Sequence, residues 1–121
     1  MSIKVARRTM RIACCRGNKF LVLFALANSA DDDGLYWPVF WNDADARARK
    51  SGVEEAIRSL NRSGEVIQIR TGYTIFFWIA IAFTPCELKE IAMRRFWMND
   101  RQATVLVSEI VIRQQKSGVR L

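Results

Sequence analysis

Apolar positions along this chain change period at identifiable points, and the clearest change falls between Ser51 and Phe83. Val53, Ala56, Ile57 and Leu60 recur at three- and four-residue steps, one face of a helix. Arg58, Ser59, Asn61 and Arg62 fall on the other side. Ser51-Gly52-Val53-Glu54 has the form of a capping box, in which the Ser hydroxyl accepts from the Glu54 amide and the carboxylate reaches back to the cap's own amide. Gly64 stands where a helix needs a left-handed residue to end. Glu65 to Arg70 alternates with a period near two and predicts a strand, Thr71-Gly72 a turn, and Tyr73 to Phe83 a second strand. In that second strand Tyr73, Ile75, Phe77, Ile79, Ile81 and Phe83 share one face, and Phe76, Trp78, Ala80 and Ala82 the other. Both faces are apolar, so both need a cover: the C-terminal segment or another subunit.

Upstream, Ser2 to Arg16 has no clean period and reads as a basic arm: a short strand, a helix or loose chain. Gly17 offers a break and Asn18 an N-cap. Lys19 to Ala30 predicts a helix that is apolar nearly all round, hence central to a core or covered on two sides. Asp31 to Trp37 reads as a loop whose acidic triplet, just before Gly34, is a solvated turn rather than a metal site. After Pro38, Ala44, Ala46 and Ala48 favour a helix over residues 39–50, with Phe40 and Trp41 as its anchors. Downstream, Thr84 and Pro85 open a helix as N-cap and first-turn proline, and Leu88, Ile91, Ala92, Arg95 and Phe96 follow at helical steps. Asn99-Asp100 breaks it, with Asp100 as the cap of a last helix. Ala103, Leu106, Val107, Ile110 and Val111 lie on that helix, which ends at Gly118. Its β-branched residues favour a strand, but length and period favour the helix.

A length of 121 residues sets one domain, and a hydrophobic share of 50% suits a packed chain. Cys14, Cys15 and Cys86 lack metal-ligand spacing, and with no histidine there is neither a zinc-site partner nor an imidazole base. Cys14 and Cys15 read as reduced in a cytoplasmic protein, and all three as buried small residues. No signal-peptide pattern is visible, and no apolar run reaches the length of a membrane span. No Gly-rich phosphate loop is present. Nothing here asks for an enzyme, a cofactor or a metal.

Helix, glycine, strand, turn, strand is the order of a winged helix, a recognition helix followed by its wing. Lys19 to Pro38 also resembles the helix and loop of the bacterial helix-turn-helix domains found in plasmid and phage replication initiators and related regulators. Leu21, Val22, Leu23, Ala25, Leu26, Ala27, Asp32, Asp33, Gly34, Trp37 and Pro38 carry that likeness. Ala46-Arg47-Ala48-Arg49, Val53, Ala56-Ile57, Leu60 and Ser63-Gly64-Glu65 extend it, so that it covers residues 17 to 72. In place of the arginines that the family tends to carry, this chain has Glu54 and Glu55. The expectation is an α+β fold: a winged helix-turn-helix with a two-stranded wing and additional C-terminal helices. Residues 1–16 would be a basic arm, 17–84 the winged-helix domain, and 85–121 a helical extension on the same domain or on a dimer partner.

The formal charge of +7 is unevenly placed. Residues 1–30 hold six bases and no acids, residues 31–63 five bases and seven acids, and residues 86–121 seven bases and four acids. Phosphate neutralisation dominates nucleic-acid affinity, so bases near the expected recognition helix are the candidate contacts. Arg47, Arg49, Lys50 and Ser51 suit the phosphate backbone. Arg58 and Arg62 suit base edges or phosphate, and Asn61 suits adenine. Arg70 and Tyr73 lie near the wing tip, and Arg7, Arg8 and Arg11 on the arm. Glu54 reads as a helix-dipole and capping residue. The partner expected first is double-stranded DNA, for transcription regulation or plasmid or phage DNA replication. The alternative is a non-catalytic assembly module on the same scaffold. Surplus apolar surface predicts a homodimer through Leu106, Val107 and Ile110, and the lack of a spanning apolar run predicts no membrane partner.

Overall fold

The computed structural model describes residues 3–12, 16–37, 54–71 and 74–119. The helix expected over 39–50, the Ser51–Val53 part of the capping box and the Gly72-Tyr73 part of the turn lie outside them. Among the described residues the fold is α+β, with five α-helices and one antiparallel three-stranded sheet. The order is α1 (Ile3–Ile12), α2 (Asn18–Ser29), β1 (Leu35–Tyr36), α3 (Glu54–Ser63), β2 (Ile67–Thr71), β3 (Thr74–Trp78), a 3-10 turn (Ala80–Ala82), α4 (Pro85–Arg95) and α5 (Asp100–Lys116). None of these helices is long and apolar enough to cross a membrane.

The central strand is β3. It pairs with β1 through Leu35↔Trp78 and Tyr36↔Phe77. On its other edge β2 runs antiparallel from Ile67↔Trp78 to Thr71↔Thr74. The strand expected to reach Phe83 stops at Trp78. One more bond follows the β1–β3 register, from the Ile79 amide to the Gly34 carbonyl at 2.8 Å, and Ala80–Ala82 then tighten into a 3-10 turn against α1. Ile79 to Phe83 are all buried, so the apparent alternation there reflects a turn enclosed on every side rather than two sheet faces.

The apolar faces of β3 are covered within one chain. Phe96, just past α4, lies 5.5 Å from Phe76 and 5.1 Å edge-on from Trp78, and Trp37 stacks on Phe76 at 5.0 Å. The opposite face, with Ile75 and Phe77, looks toward Ile57 of α3. Helix α5 packs on α4 and α3. Val107 and Ile110, expected at an interface between chains, are 7% and 2% exposed in the core of one chain, and Leu106 is half-buried beside them. The reason is spacing: with Ala103 they form the one stripe of α5 that faces the other helices.

Local signals account for most helix ends. Thr84 Oγ1 accepts from the Glu87 amide at 3.3 Å and Glu87 Oε1 accepts from the Thr84 amide at 3.0 Å, a complete capping box with Pro85 in the first turn. The last helix is capped one residue earlier than expected. Asn99 and Gln102 exchange the same pair of bonds at 2.8 and 3.0 Å, and Asp100 is already helical. Asn18 likewise is not a cap but the first residue of α2, because Gly17, at φ 68°, takes that position. The basic segment at the N-terminus is helical, with Val5 and Thr9 turned inward.

Gly64 ends α3 at φ 76°. Its carbonyl accepts from Gln114 Nε2 at 2.8 Å, which draws α5 so close that a Cβ would stand 2.9 Å from the Ile110 carbonyl oxygen. Gly64→Ala therefore combines a left-handed penalty of about 1 kcal/mol with a clash against backbone. Urea unfolding is expected to show a loss of about 2–4 kcal/mol; a change within about 0.5 kcal/mol would contradict this account of the α3–α5 contact.

Candidate nucleic-acid interface

Helix α3 buries Ala56, Leu60 and Ser63 and turns Glu54, Glu55, Arg58 and Arg62 outward. Between its outer face and the sheet runs a groove of about 410 Å³, lined by Glu54, Ile57 and Arg58 from the helix and Gln68, Arg70, Ile75 and Phe77 from β2 and β3. The groove thus places two bases on an apolar floor. Glu54 and Glu55 complement the positive end of the helix dipole. Glu54 also stands four residues before Arg58, the favourable order for an acid–base pair on a helix.

The orientation of α3 is set from behind. Glu65 is 1% exposed, and its Oε1 lies 3.2 Å from Lys19 Nζ at the start of α2 and 2.8 Å from Ser63 Oγ. Its amide donates to the Leu60 carbonyl and its carbonyl accepts from Ile81. One buried carboxylate therefore joins α2, the end of α3 and the 3-10 turn. Removing Lys19 would leave the buried Glu65 charge without its counter-ion, which makes the position of this carboxylate strongly constrained.

Of the residues expected to touch DNA, the structure brings Arg58 and Arg70 to one groove, with Arg62 exposed on the last turn of α3. Asn61 requires a correction. Its Oδ1 accepts from the Gln68 amide at 3.1 Å and its carbonyl from Arg113 Nη1 at 3.3 Å, so it ties α3 to β2 and α5. Of the three forms open to the basic arm, residues 3–12 take the helix, and one of its bases is engaged within the chain. Arg8 pairs with Glu87 at 2.8 Å and lies 5.9 Å over the Phe83 ring, which holds it at the start of α4, while Arg7 and Arg11 are exposed. Arg47, Arg49, Lys50, Ser51 and Tyr73 lie outside the described residues.

The acidic triplet is a turn, yet not a solvated one throughout. Asp31 Oδ1 accepts from the amides of Asp33 and Leu35 at 2.9 and 3.0 Å. Asp33, whose side chain is 15% exposed, accepts two bonds from Arg94 at 2.7 and 3.0 Å and one from Arg95 at 2.7 Å. Its carbonyl accepts from Trp78 Nε1 at 3.1 Å. The loop is thereby clamped to both the central strand and α4. Beside this clamp lies a second groove, of about 580 Å³, with Trp37, Phe76, Phe96 and Trp97 in its wall. Sequence periodicity missed it because Phe96-Trp97-Met98 follows the end of a helix, where no face is defined. The aromatic run itself was the available signal.

The chain matches no family model, no curated protein and no solved structure.

Hydrogen bonds from Arg94, with further bonds from Arg95, hold the Asp33 carboxyl below its ordinary value of 3.8 against the opposing effect of burial. The Thr84 amide, and then the Arg8 guanidinium, hold Glu87 below 4.5. A carboxylate with a lowered folded-state pKa contributes stability in full above its unfolded value and loses it as pH falls through the folded one. Urea midpoints are thus expected to drop from about pH 4.5 downward. Asp33→Asn should be less stable than the wild type at neutral pH and should lose less on acidification. Parallel acid limbs for the two proteins would disprove the role of Asp33.

Proposed function

We propose that this chain is a winged-helix protein that binds duplex DNA, with α3 as the recognition helix and the β2–β3 hairpin as the wing. One observation carries the reading: Arg58 of α3 and Arg70 of β2 converge on a single exposed groove, between a helix and a hairpin in the order that a winged helix requires. The sheet order β1-β3-β2, with β1 preceding the recognition helix and the hairpin following it, supports the same assignment. So does the resemblance of residues 17 to 72 to the replication-initiator and regulator domains. Helices α4 and α5 are then the C-terminal extension, and the role is non-catalytic, in transcription or in plasmid or phage replication.

In this arrangement Arg58 lies where a side chain reaches base edges in the major groove, and Arg62 and Arg70 flank it as phosphate contacts. Glu54 and Glu55 repel phosphate unless one accepts from a cytosine amine, so they act as selectivity elements rather than sources of affinity. Exposed Arg7 and Arg11 add sequence-independent attraction wherever the duplex passes α1.

Fluorescence anisotropy on labelled duplexes at several salt concentrations tests this. Affinity should fall linearly on logarithmic axes as salt rises. Arg58→Ala is expected to cost about 1–3 kcal/mol and to relax discrimination between duplexes, whereas Arg70→Ala should weaken all duplexes alike and reduce the salt slope by about one. Absence of any retention on duplex DNA at low salt would overturn the proposal.

A further inference from the structure

The most exposed large apolar side chain among the described residues is Trp97, at 89%. Its backbone sits at φ 53°, the left-handed region that Gly17, Gly34, Gly64 and Gly118 also occupy. A β-carbon there is strained, so this position holds an indole in water where glycine is the easier residue. Immediately beside it is the groove of about 580 Å³, walled by Trp37, Ile69, Phe76, Phe96 and Met98, with Arg94 and Arg95 at its edge. Those two guanidiniums are paired: both with Asp33, and Arg95 also with Asp31 at 3.3 Å.

We infer that this face is an interface between two copies of the chain, in which Trp97 of each copy enters the aromatic groove of the other. A twofold contact uses the same patch on both subunits, so the patch must hold both the protruding group and the cavity that receives it. Trp97 and its neighbouring groove meet that condition. Charge narrows the partner further. The chain carries +7, and two copies repel wherever unpaired bases meet. Around Trp97 the bases are neutralised by Asp31 and Asp33, so this face brings like chains together at low electrostatic cost. The same neutrality gives nucleic acid or an acidic peptide no unpaired base in the pairs that edge the groove. By area Trp97 is the centre of such a contact and not the whole of it. A buried tryptophan removes about 150–250 Å² from water, and a standard interface needs about 800 Å² per partner. Trp97 and the groove that receives it therefore supply the anchor of such an interface, the kind of residue that dominates association energy.

This inference stands apart from DNA binding. Ile69 and Phe76 lie on the sheet face opposite Gln68, Arg70, Ile75 and Phe77, so a dimer through Trp97 leaves the α3 groove open. It replaces the α5 stripe, already occupied within one chain, as the place where two copies meet.

Sedimentation velocity of the full chain from about 1 to 100 μM tests it, since a standard-size interface holds in that range. The expected result is a concentration-dependent species at twice 13.9 kDa. Trp97→Gly should weaken association at least about 30-fold, the loss of a hot-spot residue. At a dilution where both proteins are monomeric, the same variant should melt about 3 °C higher, because glycine relieves the left-handed backbone. A wild type that stays at 13.9 kDa throughout would overturn the inference, as would a glycine variant that associates equally well. A glycine variant that melts lower would also overturn it, by making Trp97 a packing residue of its own chain.

Discussion

The central strand β3 carries large apolar side chains on both of its faces, and that constraint arranges the rest of the molecule. A strand with one wet face needs one cover; this one needs two. On one side Phe96 and Trp37 close over Phe76 and Trp78. On the other, Ile57 of α3 stands opposite Ile75 and Phe77. Where the strand would continue, the chain folds into a 3-10 turn and passes beneath α1. Each sheet face thus has a cover among the described residues, and beside each cover lies a groove, one edged by Arg58 and Arg70 and the other aromatic.

Two carboxylates transmit this arrangement to the surfaces. Glu65, with Lys19 and Ser63, ties the end of α3 to α2 and thus sets how Arg58 and Arg62 are presented. Asp33, with Arg94 and Arg95, ties the loop before β1 to α4 and sets the edge of the aromatic groove. In both cases a charge that costs desolvation energy is retained where it fixes one element against another, and the groups it consumes are bases that would otherwise add to the surface potential. Lys19, Arg94 and Arg95 are occupied in this way, and Arg8 is paired with Glu87. The net charge of the chain is therefore a poor guide to the charge that any one face presents. The bases of the α3 groove, Arg58 and Arg70, are a small part of it.

Local chemistry was legible in the sequence because it depends on residues within a few positions of each other. The Thr84 cap with Pro85 in the first turn, the Gly64 stop and the pairing of β2 with β3 follow from side chains and backbone preferences that act over one turn. The helical nature of α5 followed from its length and period despite its β-branched residues. The cap at Asn99 rather than Asp100, and at Gly17 rather than Asn18, differ by a single position because two adjacent residues each satisfied the local rule.

What lies far apart in the chain was decided by the tertiary structure. Whether Asn61 reads a base or bonds the Gln68 amide depends on where β2 comes to rest, seven residues on. Whether Val107 and Ile110 face a second chain or their own core depends on α4 and α3 being there to receive them. The Asp31–Asp33 turn looks solvated until Arg94 and Arg95, some sixty residues away, close on it. By itself the sequence determined the main helices, the hairpin and the need for two covers on β3, since periodicity and capping act over short range. Which side chains cover, which clamp and which remain free to bind was settled only by long-range packing, because burial and ion pairing belong to groups brought together from distant parts of the chain.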